Sequence, residues 1–424
     1  LANIAIVGDK MKSKKGISGK LFSSLGNNNI NVRAIAQGAS ERNISLIIDE
    51  TNAKKALNAL HESFFEKDLK DIHIFITGVG NVGGYLIQQI KNQKNFISEN
   101  LGLNLKVLGI SNSKKMLISK EEIDLKNWSE LLDNSNKKAD KDLFQKTIIE
   151  LNRRNSLFVD NTASDIIPLT YNDYLKNGVG IITCNKISNS GTLNVYKELR
   201  ELSMRHNARF FYETNVGAAL PVISTLKNLI NSGDKVLKIE AVLSGTLNYI
   251  FNNFQEENTF HDIVSKAVDL GYTEPDPKID LCGIDVCRKI LILARESGYN
   301  LEYEDVKKNH FLPDESINTN SKDEFILSLK NNKSHFNKIL SKAKERNCRL
   351  KFVAKLENGN ASVGLEAIST DHPFYNLVGS DNITVFYTER YKDSPLVVKG
   401  AGAGGEFTAS GVFADIIKAS QENG

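Results

Sequence analysis

The sequence predicts an α/β chain in which a doubly wound parallel sheet is interrupted by an α+β domain and preceded by a short βαββα unit. Three observations carry this expectation. An apolar strand pattern at 73–77 runs directly into Gly78-Val79-Gly80-Asn81-Val82-Gly83-Gly84 and then into a helical pattern. Strand-like and helix-like segments keep alternating to residue 183, as parallel pairing through crossovers requires. A shorter alternation of three strands and two helices fills 1–66.

Length and composition bound the rest. The 424 residues are enough for two or three domains with real cores. A hydrophobic fraction of 41% beside a charged fraction of 25% is that of an ordinary globular protein. A net charge of +3 gives no reason to expect a polyanion partner, so nucleic acid is not indicated. No apolar run approaches the roughly 20 residues of a membrane span, and the first residues lack the basic-then-apolar order of a signal peptide. No membrane is expected, and the cytoplasm is the default location. Cys184, Cys282, Cys287 and Cys348 form no CxxC pair, which suits reduced, structural thiols. The chain opens on Leu1 inside a strand-like run, which reads as a piece of something longer.

In order, strands are expected at 3–7, 31–37 and 44–48, with helices at 17–25 and 53–65. This βαββα unit is one strand short of the ferredoxin-like βαββαβ arrangement. A linker at 66–70 precedes the 73–77 strand. The glycine run that follows is GxGxxG between strand and helix, the context that turns a weak motif into a Rossmann-type dinucleotide fingerprint. Gly78 would make the tight turn, Gly80 would let a pyrophosphate approach the backbone, and Gly83 would let helix and strand pack closely. A helix is expected at 85–90, its N-terminus meeting the phosphates, and Asn81 and Val82 before it are expected to bind the cofactor. The second strand, 106–110, ends in Ser111-Asn112-Ser113-Lys114-Lys115, without the acid that selects for an unmodified ribose. Basic residues there suit a 2′-phosphate, so NADP is expected as cofactor, with NAD as the alternative. A helical stretch at 129–152, strands at 157–160 and 180–183, a strand running through Ser244-Gly245-Thr246 into a helix, and a hairpin at 349–368 follow. Residues 301–345 read as a polar, helical, solvated face.

Residues 271–289 pack Glu274, Asp276, Asp280, Asp285 and Lys289 into one stretch. Pro275 and Pro277 predict an ordered turn, and helical spacing resumes from about Leu281. Asp285 and Lys289 are then i,i+4 neighbours, so the aspartate can hold the lysine for proton transfer. The competing reading is a solvated surface pair of little consequence.

Segments 78–84, 159–164, 183–186, 212–221, 243–251, 271–289 and 400–416, in unbroken order, together resemble homoserine dehydrogenase. Segment 1–66 resembles an ACT domain of the aspartokinase type. The combination is similar to the bifunctional aspartokinase–homoserine dehydrogenases without their kinase. The resemblance implies NAD(P)H-dependent reduction of L-aspartate 4-semialdehyde to L-homoserine, in the branch leading to threonine, methionine and isoleucine. It assigns Lys289 as the catalytic lysine and Asp285 as its orienting, substrate-contacting partner. Glu274 would hold the substrate α-ammonium, Asp280 would complete the polar floor, and Lys186 would lie near the reacting oxygen and the nicotinamide. Thr162 and Gly404 match cofactor-lining positions. A sodium-like cation would take the carboxylate of Glu213 and the carbonyls of Val216, Ala218 and Leu220, although Ala219 stands where glycine is common. Read without the family, Glu213 could equally cap a helix, Lys186 could be a surface lysine, and the glycines at 400–405 could form a simple turn.

The expected domains are 1–70 (partial ACT), 71–210 with 385–424 (nucleotide binding) and 211–384 (substrate, α+β, and dimerisation). Assembly as a homodimer or larger homo-oligomer follows from the resemblance, as does a regulatory amino acid such as threonine at the ACT segment. The ACT segment could instead be a dimerisation module without ligand. Two other functions compete: a cysteine-dependent semialdehyde dehydrogenase using Cys184, and a regulatory module whose dehydrogenase is silent. The basic end of the second strand leads to one prediction: kcat/KM is higher with NADP than with NAD, and a strong NAD preference in steady-state assays refutes it.

Overall fold

The structure, a computed structural model, describes residues 1–8, 11–38, 42–65 and 69–421. Positions 66–68 of the expected linker lie outside the described residues. The chain forms two compact units: Leu1–Asn185 with Lys197–Tyr212 and Val412–Gly424, and Lys186–Tyr196 with Glu213–Gly411.

The first unit contains two sheets. Strands Ala2–Val7, Asn43–Ile48 and Val32–Gln37 pair antiparallel in that spatial order, with Asn43–Ile48 central. The central strand alternates as a half-buried strand should: Ile44, Leu46 and Ile48 point into the core and meet Leu21 and Leu25 of the helix Ile17–Gly26 and Ala56 and Leu60 of the helix Ala53–Phe65. The second sheet orders its strands Met116–Ile118, Leu103–Ser111, Lys70–Thr77, Ser156–Asp160, Gly180–Thr183 and Phe210–Phe211. All pairs are parallel except the edge pair with Met116–Ile118. The near-continuous burial of Lys70–Thr77 and Ser156–Asp160 matches a sheet covered on both faces. Because the chain proceeds outward in both directions from Lys70–Thr77, the carboxyl end of that strand is the switch point of the sheet, and Gly78 sits there.

The second unit is built on a sheet ordered Lys307–Asn309, Asn360–Ile368, Arg349–Glu357, Val236–Val242, Asp381–Thr388 and Leu396–Ala401. It is antiparallel apart from the short Lys307–Asn309 edge. The helix Ile284–Glu296 packs on it and is buried from Val286 to Arg295, apart from the partly buried Arg288. Among the described residues, no helix is long and apolar enough to cross a membrane.

Four expectations are corrected. The domain boundary at 384/385 would cut the strand Asp381–Thr388, which pairs with Val236–Val242 on one side and Leu396–Ala401 on the other. The second unit therefore runs to Gly411, since sheet partners are a tertiary matter that local strand pattern does not reveal. Residues 186–196 also belong to the second unit. The 129–152 stretch is two helices, Trp128–Asp133 and Lys141–Leu151, the latter started by the Asp140 carboxylate, which accepts from the backbone of Asp142 and Leu143. The 301–345 region is more than a solvated face: its helices bury Phe325, Leu329, Phe336 and Leu340, and Phe336 stacks on Phe260 at 4.3 Å.

The helix expected from Leu281 is divided. Asp276 caps Pro277–Leu281, with proline at its first turn, and Gly283 at φ +68° starts Ile284–Glu296. A Cβ on Gly283 would lie 2.5 Å from the Phe352 ring, so both the backbone and the space demand glycine. Gly283→Ala is expected to lower stability by about 2–4 kcal/mol, from combined left-handed strain and overpacking, read as a fall in Tm or denaturation midpoint.

Candidate active site

The strand-to-helix break at Val242–Gly245 places the first component. Ser244 accepts from the Leu247 N–H and starts the helix Gly245–Asn253, leaving the Leu243 carbonyl at the junction. Lys289, one turn into its buried helix, donates to that carbonyl at 2.6 Å and pairs with Asp285 Oδ2 at 2.7 Å. Lys186, which opens the short helix Ile187–Ser190, reaches Asp285 Oδ1 at 3.2 Å. Two ammonium groups thus flank one carboxylate. Lys289 is 8% exposed, which rules out the solvated surface pair. An ammonium carries three N–H donors, and the two partners of Lys289 leave one for a further acceptor.

The electrostatics follow from this packing. Burial pushes the Lys289 ammonium below its usual range, Asp285 opposes the fall, and the like charge of Lys186 adds to it. Burial alone would raise the Asp285 carboxyl, but Lys186 and Lys289 outweigh it and hold the group well below the usual carboxylate range. Asp280 behaves oppositely. Burial, with Glu274, Asp285 and Asp276 nearby, pushes it up to about 6 even though it accepts the Glu274 N–H at 2.8 Å. That bond fixes the turn carrying Glu274, whose own carboxylate is exposed and makes no ion pair among the described residues.

In the first unit the glycine turn is closely packed at two of its three motif glycines. Gly78 takes φ +87°, and a Cβ there would lie 2.8 Å from both the Asn161 carbonyl carbon and Thr162 Cγ2. A Cβ on Gly83 would lie 2.3 Å from the Gly78 oxygen, while one on Gly80 would meet nothing within 4 Å. The helix Asn81–Leu101 begins at Asn81 and Val82. Beside this turn lies a cavity of about 430 Å³, with Ser111, Asn112, Phe144, Thr162 and Ile167 among its lining residues. Asn112 Oδ1 accepts from the backbone of Lys114 and Lys115, which holds that turn, and Lys115 Nζ is tied to the Asp133 carbonyl. Lys114 is exposed.

Sequence reasoning missed several residues here. Asp160, fully buried, accepts from Thr162 N at 2.7 Å, Tyr171 Oη at 2.6 Å and Asn185 Nδ2 at 3.3 Å, and so sets the Thr162 turn. Burial pushes its carboxyl up against those bonds. Both polar side-chain atoms of Asn161 are buried without a hydrogen-bond partner among the described residues, beside Gly83. An orphaned amide at that spot fits a bound dinucleotide. The strand-end Asp-Asn-Thr was the available signal for these residues. The Leu243 carbonyl had none, because a backbone acceptor leaves no mark in sequence.

Gly404, at φ +117°, ends a loop in the second unit in which Gly402 is pressed against Asn382, so this loop is a packed feature. Glu213 accepts from Ile223 N at 2.7 Å and Ser224 N at 2.9 Å, capping the helix Val222–Asn231. Gly217 and Ala218 take positive φ in the turn between, and Ala219 does not, so its Cβ costs the turn nothing. No group of three or more His, Cys, Asp or Glu suited to a metal occurs among the described residues.

Asp280→Asn removes a carboxyl whose folded-state affinity for protons exceeds its unfolded one. Such a group stabilises fully below about pH 4 and loses that contribution as pH rises through about 6. The Tm advantage of the native chain over Asp280→Asn is therefore expected to shrink between pH 4 and 6. A flat difference across that window refutes the assignment.

Comparison with known proteins bears on the same residues. The homoserine dehydrogenase family matches residues 221–417, its NAD-binding domain matches 78–213, and an ACT domain family matches 4–64. The chain is 43% identical over 418 residues to bifunctional aspartokinase/homoserine dehydrogenase 2 of Zea mays, covering 98% of this chain and 46% of that one. It thus spans about half the length of that curated relative. It is 37% identical over 358 residues to homoserine dehydrogenase of Schizosaccharomyces pombe, covering 82% of this chain and 95% of that one. A hyperthermophilic archaeal homoserine dehydrogenase solved in complex with NADPH superposes with a TM-score of 0.64 at 27% identity, over 82% of this chain and 98% of that one. The agreement over nearly the whole fission-yeast enzyme, reaching through both the glycine turn and the lysine-bearing helix, establishes that this chain belongs to the homoserine dehydrogenase family.

Proposed function

We propose that the chain interconverts L-aspartate 4-semialdehyde and L-homoserine with NADP as the preferred cofactor, serving the branch toward threonine, methionine and isoleucine. The observation that carries this reading is the buried Lys289 ammonium, oriented by Asp285 and the Leu243 carbonyl with one N–H to spare. Gly78, Gly80, Asn81, Val82, Gly83, Thr162 and Gly404 would hold the cofactor, with Lys114 beside its 2′-phosphate. When bound, that group supplies hydride chemistry at C4 of the substrate.

The protein's own part is the proton. In the reducing direction the aldehyde oxygen gains negative charge as C4 is reduced, and Lys289 passes its spare proton to that oxygen. Burial lowers the cost of giving the proton up, and Asp285 keeps the ammonium charged beforehand. Lys186 adds a second positive charge where the oxygen becomes anionic. Glu274 takes the substrate α-ammonium, and Asp280 holds the Glu274 turn. A monovalent cation would suit the Glu213 carboxylate with the carbonyls of Val216, Ala218 and Leu220, an all-oxygen donor set. The same carboxylate's helix-capping bonds would pre-organise it. Reduced thiols at all four cysteines are in keeping with the cytoplasm. Dimerisation through the second unit, and an amino-acid effector such as threonine at the ACT segment, complete the reading and rest on family resemblance.

Purified chain should oxidise L-homoserine with NADP, followed at the nicotinamide absorbance. Lys289→Ala should lose about 10²- to 10⁴-fold in kcat while NADP affinity is unchanged. Persistent turnover in that variant would refute the proton-transfer role.

A further inference from the structure

The ACT segment is seated on the nucleotide-binding sheet within one compact unit. Arg154 donates to the Asn58 carbonyl at 2.8 Å and pairs with Glu62. Asn152 Nδ2 donates to Asn52 Oδ1 at 3.0 Å. Asn29 lies so close to Gly178 that a Cβ there would fall 2.1 Å from its amide. Between these contacts open two cavities of about 300 and 460 Å³, both lined by Lys55 and Arg153.

Their lining is mostly cationic among the described residues. Among the described residues the smaller cavity is lined by Lys55, Lys70, Arg153 and Arg209, and the one acid described there, Glu62, is already engaged by Arg154. The larger adds Lys54 and Lys120, and of its two acids Asp71 is held by Lys106 at 2.6 Å. Lys55 makes no hydrogen bond or ion pair with any described residue, and burial holds its ammonium down to about 8 with no carboxylate to restore it. Lys70 donates to the Ser420 carbonyl at 2.8 Å, and burial, then Arg209, holds it below its usual range. Lys55 and Lys70, partly buried with no carboxylate on either ammonium among the described residues, are unfavourable alone and become favourable around an anion.

We propose that this cleft, between the helix Ala53–Phe65 and the nucleotide-binding sheet, binds a small polyanionic metabolite bearing phosphate or carboxylate groups, held by Lys55, Lys70 and Arg153. A ligand so placed contacts both the ACT segment and the sheet that carries the glycine turn, and it strengthens their attachment. This is independent of the proposed catalysis, because its readout is binding.

The test titrates inorganic phosphate, and separately malonate, into the purified chain. NADP is kept saturating so that the nucleotide site cannot respond, and KCl holds ionic strength constant. Tm and heat of binding are followed. At least one anion should stabilise saturably beyond KCl. Phosphate alone assigns a phosphate-bearing ligand, malonate alone assigns a polycarboxylate, and both assign a site reading charge rather than geometry. Lys55→Gln and Arg153→Gln should each weaken apparent affinity about 10-fold or more. Lys55→Met should raise Tm without ligand, because it removes an uncompensated charge, and should still lose the anion response. No saturable response, or an undiminished one in Lys55→Gln and Arg153→Gln, overturns the proposal.

Discussion

A charged lysine in a protein interior must be paired, and the pairing of Lys289 organises the second unit around it. The partners come from two directions: Asp285, one turn earlier on the same helix, and the Leu243 carbonyl at the end of the strand Val236–Val242. Satisfying the ammonium therefore fixes where that helix lies along the central strand of its sheet. Lys186 then closes on the free oxygen of the same carboxylate, bringing a third chain segment into the cluster.

The other end of the helix repeats the device. Arg295, with its side chain fully buried, donates to the carbonyls of Asn189 and Leu301 and pairs with Glu302 at 3.0 Å. Glu302 in turn accepts the Leu193 N–H. Residues 186–193 are thus anchored by the two ends of one helix and by Glu302 beyond it, which explains why they belong to the second unit although they follow directly on a strand of the nucleotide-binding sheet. Gly283 supplies the break that lets Asp280 and Asp285 serve different ends. One carboxyl is kept hard to ionise and braces the Glu274 turn, and its neighbour is kept ionised between two lysines.

In the nucleotide-binding unit the governing constraint is closeness. The backbones at Gly78 and Gly83 leave no room for a Cβ, while Gly80 opens outward, so three glycines in one motif serve three separate geometric needs. The buried Asp160, held by Tyr171, Thr162 and Asn185, freezes the neighbouring turn that forms the other wall. The ACT segment meets the same sheet at the amino ends of its inner strands, through Asn152, Arg154 and Gly178, on the side away from the glycine turn.

Sequence alone determined the features that are local. Strand–glycine turn–helix, the βαββα order and the i,i+4 relation of Asp285 to Lys289 each follow from spacing and backbone chemistry within a few residues. The tertiary structure decided whatever depends on a distant partner. It buried Lys289 rather than leaving it solvated, recruited the Leu243 carbonyl, turned Glu213 into a helix cap, and gave the strand Leu396–Ala401 to the sheet of the second unit. It also gathered Lys55, Lys70, Arg153 and Arg209 around one cleft from four separate stretches of chain. Burial and through-space pairing depend on which segments the fold brings together. Periodicity records which face of an element is apolar, and it does not record what that face will meet.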